Sequence, residues 1–162
     1  MKKLLYLFLF PLFAFSFQSC SSDEEDYDEW RKENEAAFES ITKKPDYFEA
    51  SIPGGPGSVF YKVLEKGSGD ISPIYTSKVK TRYKGSLYTG TTFEDRSNVS
   101  TQFNVNSVIK GWGVALQNMK VGDKWEVWIP WHLGYGSSGS GSTILPYSTL
   151  VFEMELVEIS DY

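Results

Sequence analysis

The spacing of apolar residues along this chain changes character several times, and each change predicts a different structure. Residues 4 to 17, LLYLFLFPLFAFSF, are almost wholly apolar and broken only by Pro11. Ser21 to Asp28, SSDEEDYD, offers no apolar face and reads as a solvated acidic tether. In DEWRKENEAAFESITKK, Trp30, Ala37, Phe38 and Ile41 fall at helical spacing, with acids leading, Lys43 and Lys44 trailing, and Pro45 as the stop. One narrow stripe of this kind needs a cover, supplied either by the main domain or by a partner subunit, which would make the helix a dimer contact. Residues 45 to 58, with PGGPG at 53 to 57, read as a flexible junction.

From Val59 onward the period becomes two. VFYKVLEKG reads as a strand ended by Gly67. In SKVKTRYKGSLY, Val79, Thr81 and Tyr83 alternate with Lys78, Lys80, Arg82 and Lys84, the pattern of a half-buried antiparallel strand. Thr89-Gly90 marks a turn, with TTFED returning from it, and TQFNV is a further short strand. KWEVWIP sets Trp125, Val127 and Ile129 on one face, and TLVFEMELVEI does the same with Leu150, Phe152, Met154 and Leu156. A single short helix, Trp112 to Met119, interrupts the strands. Two helical turns do not persist alone, so Leu116 and Met119 must lie on the concave face of the sheet. The predicted fold is α+β: a twisted antiparallel sheet of about five strands wrapped around one short helix, preceded by a separate N-terminal helix. The boundaries are 1–19 signal, 20–29 tether, 30–44 helix, 45–58 linker and 59–162 domain.

Composition supports one compact core: 162 residues, 41% hydrophobic, with Phe 11, Tyr 10 and Trp 5. The ends of the chain change the setting. Lys2 and Lys3 before the apolar run, and small residues before the only cysteine, Cys20, read as a secretory signal rather than a spanning helix. FQSC resembles a bacterial lipoprotein lipobox, which implies cleavage before Cys20 and lipid on its sulfur; Phe17 departs from the usual aliphatic residue. The alternative is a stray thiol in a discarded peptide. Acids following the cysteine also resemble a lipoprotein surface-export signal. The expected location is the cell envelope, lipid-anchored, most simply the outer membrane. Losing Lys2 and Lys3 takes the 16 basic residues to 14 against 21 acidic, a formal charge of −7. Such a balance argues against nucleic acid and against electrostatic binding to anionic lipid, so attachment rests on the lipid.

The residues also lack conventional catalytic sets. His132 is the only histidine, so neither a histidine metal site nor a Cys/His nucleophile is expected, and no cofactor. No G-x-S-x-G elbow holds a serine. Glu94 and Asp95 are neighbours and would face opposite sides of a strand. GSSGSGS at 136 to 142 has no lysine and opens no helix, so it is a loop rather than a phosphate cradle.

Four ordered segments, YKGSLYTGTTFED, VIKGWGVALQNMKVGD, IPWHLGYG and ILPYSTLVFEMELVEI, together resemble the FKBP-type peptidyl-prolyl cis-trans isomerases, from about Val59 to Ile159. The resemblance implies an apolar pocket between sheet and helix, with Trp112 as floor and Tyr83, Phe93, Tyr135 and Phe152 as aromatic walls. It implies that Val108 and Ile109 line one side, that the Ile109 amide binds a substrate carbonyl, and that Ile144 contacts the residue beside the proline. Phe103 would approach the same space. Glu94 stands where the family has an aspartate, Gly134 replaces an alanine, and ILPY replaces an I-P-P element. Proline-containing polypeptides are the implied partners, with macrolide inhibitors as further ligands.

That chemistry suits a site without acids, bases or metals. The barrier to X-Pro rotation, about 18–20 kcal/mol, is amide resonance, and no bond need break. Water favours the planar, charge-separated amide, so a dry pocket favours the twisted one. Gly111 and Gly113, flanking Trp112, read as leaving the indole face open to a proline ring. A peptide-binding module without catalysis is the rival reading.

Overall fold

The computed structural model describes residues 27–161. The expected signal, Cys20 and most of the acidic tether therefore lie outside the described residues. The chain runs α1 (Asp28–Thr42), β1 (Phe48–Ala50), β2 (Val59–Glu65), β3 (Lys78–Leu87), β4 (Thr92–Asp95), β5 (Thr101–Asn104), α2 (Lys110–Asn118), β6 (Lys124–Ile129) and β7 (Leu150–Asp161). The strands form one antiparallel sheet in the order β1-β2-β6-β7-β3-β4, with β5 also on β3.

The sheet has seven strands rather than about five. The strand without a sequence signal is β1, inside the segment expected to be a loose junction. Three residues, FEA, are too few to display a period, and they become a strand only by pairing Phe48 with Tyr61 and Ala50 with Val59. The PGGPG segment turns the chain between them, with Gly55 N–H donating to the Ile52 carbonyl at 2.8 Å. Gly54 there has φ +70°, a conformation few other residues adopt.

The alternation read in the sequence becomes the core. Val79, Thr81, Tyr83 and Leu87 of β3, Trp125, Val127 and Ile129 of β6, and Leu150, Phe152, Met154 and Leu156 of β7 are all buried on one face. Against that face lies α2, whose Ala115 and Leu116, with Met119 just past its end, are completely buried. The apolar face of a nine-residue helix is thus held by the sheet and not by its own propensity.

Gly111 has a packing role that its sequence position does not show. A Cβ built on it would stand 2.4 Å from Ile129 Cγ2 and 2.9 Å from Cδ1. Its absence lets the first turn of α2 come down onto β6. A Cβ on Gly113 would stand 3.5 Å from the Val105 carbonyl oxygen, an ordinary contact.

The apolar stripe of α1 is covered by its own domain. Ile41 is buried, Phe38 meets Phe60 edge-on at 5.7 Å, and Trp30 packs against the core and Tyr88. The anchor, however, is polar. Asn34 is fully buried, and its Oδ1 accepts the Thr149 N–H at 2.6 Å while its main-chain carbonyl accepts the Thr149 hydroxyl at 3.0 Å. Asn34 Nδ2 donates to the Trp30 carbonyl at 2.7 Å, so the side-chain amide is satisfied on both sides. No helix among the described residues is long and apolar enough to cross a membrane.

Candidate active site

The central strands place the aromatic residues in register. Across β6, β7 and β3, Trp125 pairs with Met154, which pairs with Tyr83; one step along, Val127 pairs with Phe152, which pairs with Gly85. Tyr83 and Phe152 therefore rise from the same face of neighbouring strands. Trp112, in the first turn of α2, enters between them. Its ring centroid lies 4.8 Å from Tyr83, 5.2 Å from Phe152 and 5.4 Å from Phe103, each meeting edge to face at 76–89°. Such contacts are favourable beyond the area they bury, about 0.5–1.5 kcal/mol per pair, and three of them hold one indole in place.

Above this floor is a cavity of about 290 Å³ lined by Tyr83, Glu94, Phe103, Ser107, Val108, Ile109, Trp112, Tyr135 and Phe152. A volume of this order suits a proline ring and its neighbours, and the lining joins aromatic surface to a few polar atoms. Seven of the expected site residues line it: Tyr83, Glu94, Val108, Ile109, Trp112, Tyr135 and Phe152. Phe103, expected to approach, lines it too.

Two expected residues stand elsewhere. Phe93 lies behind the wall, edge-on to Phe152 at 5.6 Å. Strand β4 carries Phe93 over Gly85, where an added Cβ would fall 2.5 Å from Phe93 and 2.7 Å from Phe152. The glycine of the YKG triplet thus lets two rings meet, and Phe93 braces Phe152 instead of facing the cavity. Ile144 is buried in the core and tied by a two-way backbone bridge to Ser140. It does not line the cavity, because the loop turns it inward. Ser107 was missed by sequence reasoning; its position just before VIKGW was the available signal. Gly85 was missed as well, although YKG is a visible triplet.

Electrostatics at the rim centre on Glu94. Strand β4 sets it opposite Gly85, and its carboxylate accepts from Arg96 Nε at 3.4 Å. Arg96 in turn shares two backbone hydrogen bonds with Tyr83, at 2.7 and 3.4 Å. Burial, and then the adjacent Glu94 carboxylate, pushes the Tyr83 phenol up to about 12. Burial followed by the Glu94 charge also raises Tyr135 above its ordinary value. Both phenols therefore stay protonated at neutral pH and can donate hydrogen bonds. Ile109 occupies the N-cap of α2 without any side-chain cap, and the first amides of a helix have no partner within it. A wall residue at that place can offer a backbone donor to a carbonyl.

Among the described residues, no group of three or more His, Cys, Asp or Glu could hold a metal ion. His132 is exposed and lies outside the cavity, edge-on to Trp131 at 5.5 Å.

A sequence model described as FKBP-type peptidyl-prolyl cis-trans isomerase matches residues 69–157. The chain belongs to that family. It is 48% identical over 103 residues to the FKBP-type 22 kDa peptidyl-prolyl cis-trans isomerase of Escherichia coli strain K12, covering 61% of this chain and 48% of the relative. It is 35% identical over 133 residues to the outer membrane protein MIP of Legionella longbeachae, covering 78% of this chain and 57% of that one. The chain thus spans about half the length of these two relatives. The crystal structure of a peptidyl-prolyl cis-trans isomerase from Pseudomonas syringae pv. tomato superposes with a TM-score of 0.74 at 33% identity, covering 83% of this chain and 96% of that chain.

Proposed function

We propose that this FKBP-family chain accelerates rotation about X-Pro bonds by holding the proline ring on Trp112 and favouring the twisted amide above it. The observation that carries this reading is the indole floor walled edge-on by Tyr83, Phe103 and Phe152. Bound there, an amide leaves water, which had stabilised its planar form, and enters a ring of aromatic edges. The Ile109 amide and the Tyr135 hydroxyl would orient the flanking carbonyls. No proton needs to move, and each ~1.4 kcal/mol of selective binding to the twisted form gives about a tenfold rate gain. Glu94, at the rim, would favour a cationic residue near the proline. Macrolides that fill the same cup would compete with peptide.

The test is a proline-peptide isomerisation assay on the full chain, with Trp112→Ala, Phe152→Ala and Tyr135→Phe. Losses of about tenfold or more in kcat/KM for the first two are expected. Folded variants with unchanged rates would overturn the site. Intact protein that binds unfolded chains without accelerating isomerisation would favour the non-catalytic clamp instead.

We further propose lipid attachment at Cys20 and residence in the cell envelope, supported by the apolar run ending in FQSC and by the name of the Legionella relative. Proline-containing exported proteins would then be the substrates. Labelling cells with a radioactive fatty acid checks the anchor: Cys20→Ser should abolish incorporation, and equal labelling of the variant would rule the anchor out.

A further inference from the structure

The geometry points to α1 as part of the pocket's machinery: Arg31 and Asn34 are positioning residues that set Tyr135 through Trp131 and the segment 147–149. This inference rests on the pocket reading given above.

Tyr135 stands on a loop at the exposed side of the cavity. It is 38% exposed, and no strand carries it. Its direction is set by the backbone on either side. The Gly134 and Gly136 N–H groups both donate to the Trp131 carbonyl, at 3.1 and 2.9 Å, and the Tyr147 N–H donates to the Gly136 carbonyl at 2.9 Å. Whatever fixes Trp131 and Tyr147 therefore fixes Tyr135.

What fixes them is α1. The Arg31 guanidinium lies 5.0 Å from the ring centroids of both Trp131 and Tyr147, which themselves meet edge-on at 5.1 Å. A planar cation between two aromatic faces is held by both. Glu35 Oε1 accepts from Arg31 Nε at 2.9 Å and from Trp131 Nε1 at 3.0 Å, so one carboxylate ties the cation to the indole. Two residues beyond Tyr147, Asn34 holds Thr149 by main chain and side chain.

The grip acts on a strained place. Tyr147 has φ +63°, the one non-glycine residue with positive φ among the described residues. A non-glycine residue in that region costs of order 1–3 kcal/mol and persists only where its surroundings over-determine it. Here the surroundings are the guanidinium, the Trp131 ring, and the bond to Gly136. A helix serving only as a covering would need its apolar stripe against the sheet. It would not need a buried amide and a cation aimed at the loop that carries the pocket hydroxyl.

The test uses the full chain with Arg31→Ala, Asn34→Ala and the control Lys32→Ala, which changes an exposed position of α1. Each variant's thermal melt is recorded, so that Arg31→Ala, at the surface, keeps the test open if Asn34→Ala folds poorly. A displaced Tyr135 weakens peptide binding, so KM for a short proline peptide should rise about tenfold, with kcat changed less than about twofold. A partly unfolded variant would instead show lower apparent kcat at unchanged KM. Tyr135→Ala should raise KM similarly, and adding Arg31→Ala to it should add little, because both act through one hydroxyl. Restoring planarity and charge matters, so Arg31→Lys should recover only part of the loss. Folded Arg31→Ala and Asn34→Ala with normal KM, or effects additive with Tyr135→Ala, would overturn the proposal while leaving the pocket intact. If Tyr135→Ala and Trp112→Ala are also silent, the pocket reading falls and this inference falls with it.

Discussion

Replacing Gly111 by alanine tests why the largest side chain of the pocket has a glycine before it. By helix propensity alone the change should stabilise α2, since alanine is favoured over glycine by about 1 kcal/mol in a helix. Packing opposes it. The new Cβ would stand 2.4 Å from Ile129 Cγ2, 2.9 Å from Cδ1 and 3.0 Å from Cγ1. Carbon atoms prefer roughly 3.5–4.0 Å, so the closest overlap is more than an ångström. Ile129 cannot retreat: it is fully buried and pairs with Leu150 on β7. Overpacking of this kind costs about 1–3 kcal/mol, and with a rigid neighbour we take the upper end. The net expectation is a loss of about 2 kcal/mol, or about 6 °C in the melting temperature for a chain of this size. Trp112 sits on the turn that must lift, so isomerase activity should fall as well. The decisive assay is a double-mutant cycle with Ile129→Ala read by thermal and urea unfolding. Ile129→Ala alone should cost about 2–5 kcal/mol. In the Gly111→Ala background it should cost less, with a coupling of about 1–2 kcal/mol, because the new methyl enters the space vacated. A rise in melting temperature for Gly111→Ala, or strict additivity in the cycle, would refute the packing argument.

Two further outcomes follow from the same geometry. Gly85→Ala would place a methyl 2.5 Å from Phe93 and 2.7 Å from Phe152, so Phe152 should tip toward Trp112; we expect kcat/KM to fall about tenfold in a still-folded protein, checked by peptide assay beside a melt. Tyr83 gives a pH dependence: its phenol titrates near 10.0 when unfolded and is pushed up to about 12 when folded. The unfolded chain loses that proton first, so the contribution to stability is full below pH 10 and is lost as the pH rises through 12. Melts from pH 8 upward should show a decline that Tyr83→Phe shallows, and equal declines in both proteins would contradict the assignment.

Much of the pocket was legible as motif and alternation. Trp112, Tyr83 and Phe152 lie on elements whose periods are visible, because a half-buried strand must alternate and an amphipathic helix must repeat. Legibility failed where a residue's role depends on what stands opposite it. Phe93 and Ile144 sit in recognisable motifs, yet one braces Phe152 and the other turns into the core. Asn34 is a polar residue in the middle of the apolar stripe of α1, and its partner Thr149 is 115 positions away. No local window contains that pair.

Residues 59 to 161 thus carried in their spacing the strands, the short helix and the face each would bury, because burial imposes a period on neighbouring residues. Spacing could not say that Phe48–Ala50 becomes a strand, since three residues acquire their hydrogen bonds only from Val59 to Tyr61. It also could not say what the glycines were for. Gly111 answers to Ile129, and Gly85 to two phenylalanine rings. Those distances exist only once the sheet has twisted and the helix has come to rest on it. A missing side chain has no period, and its meaning is the atom that occupies the space it leaves.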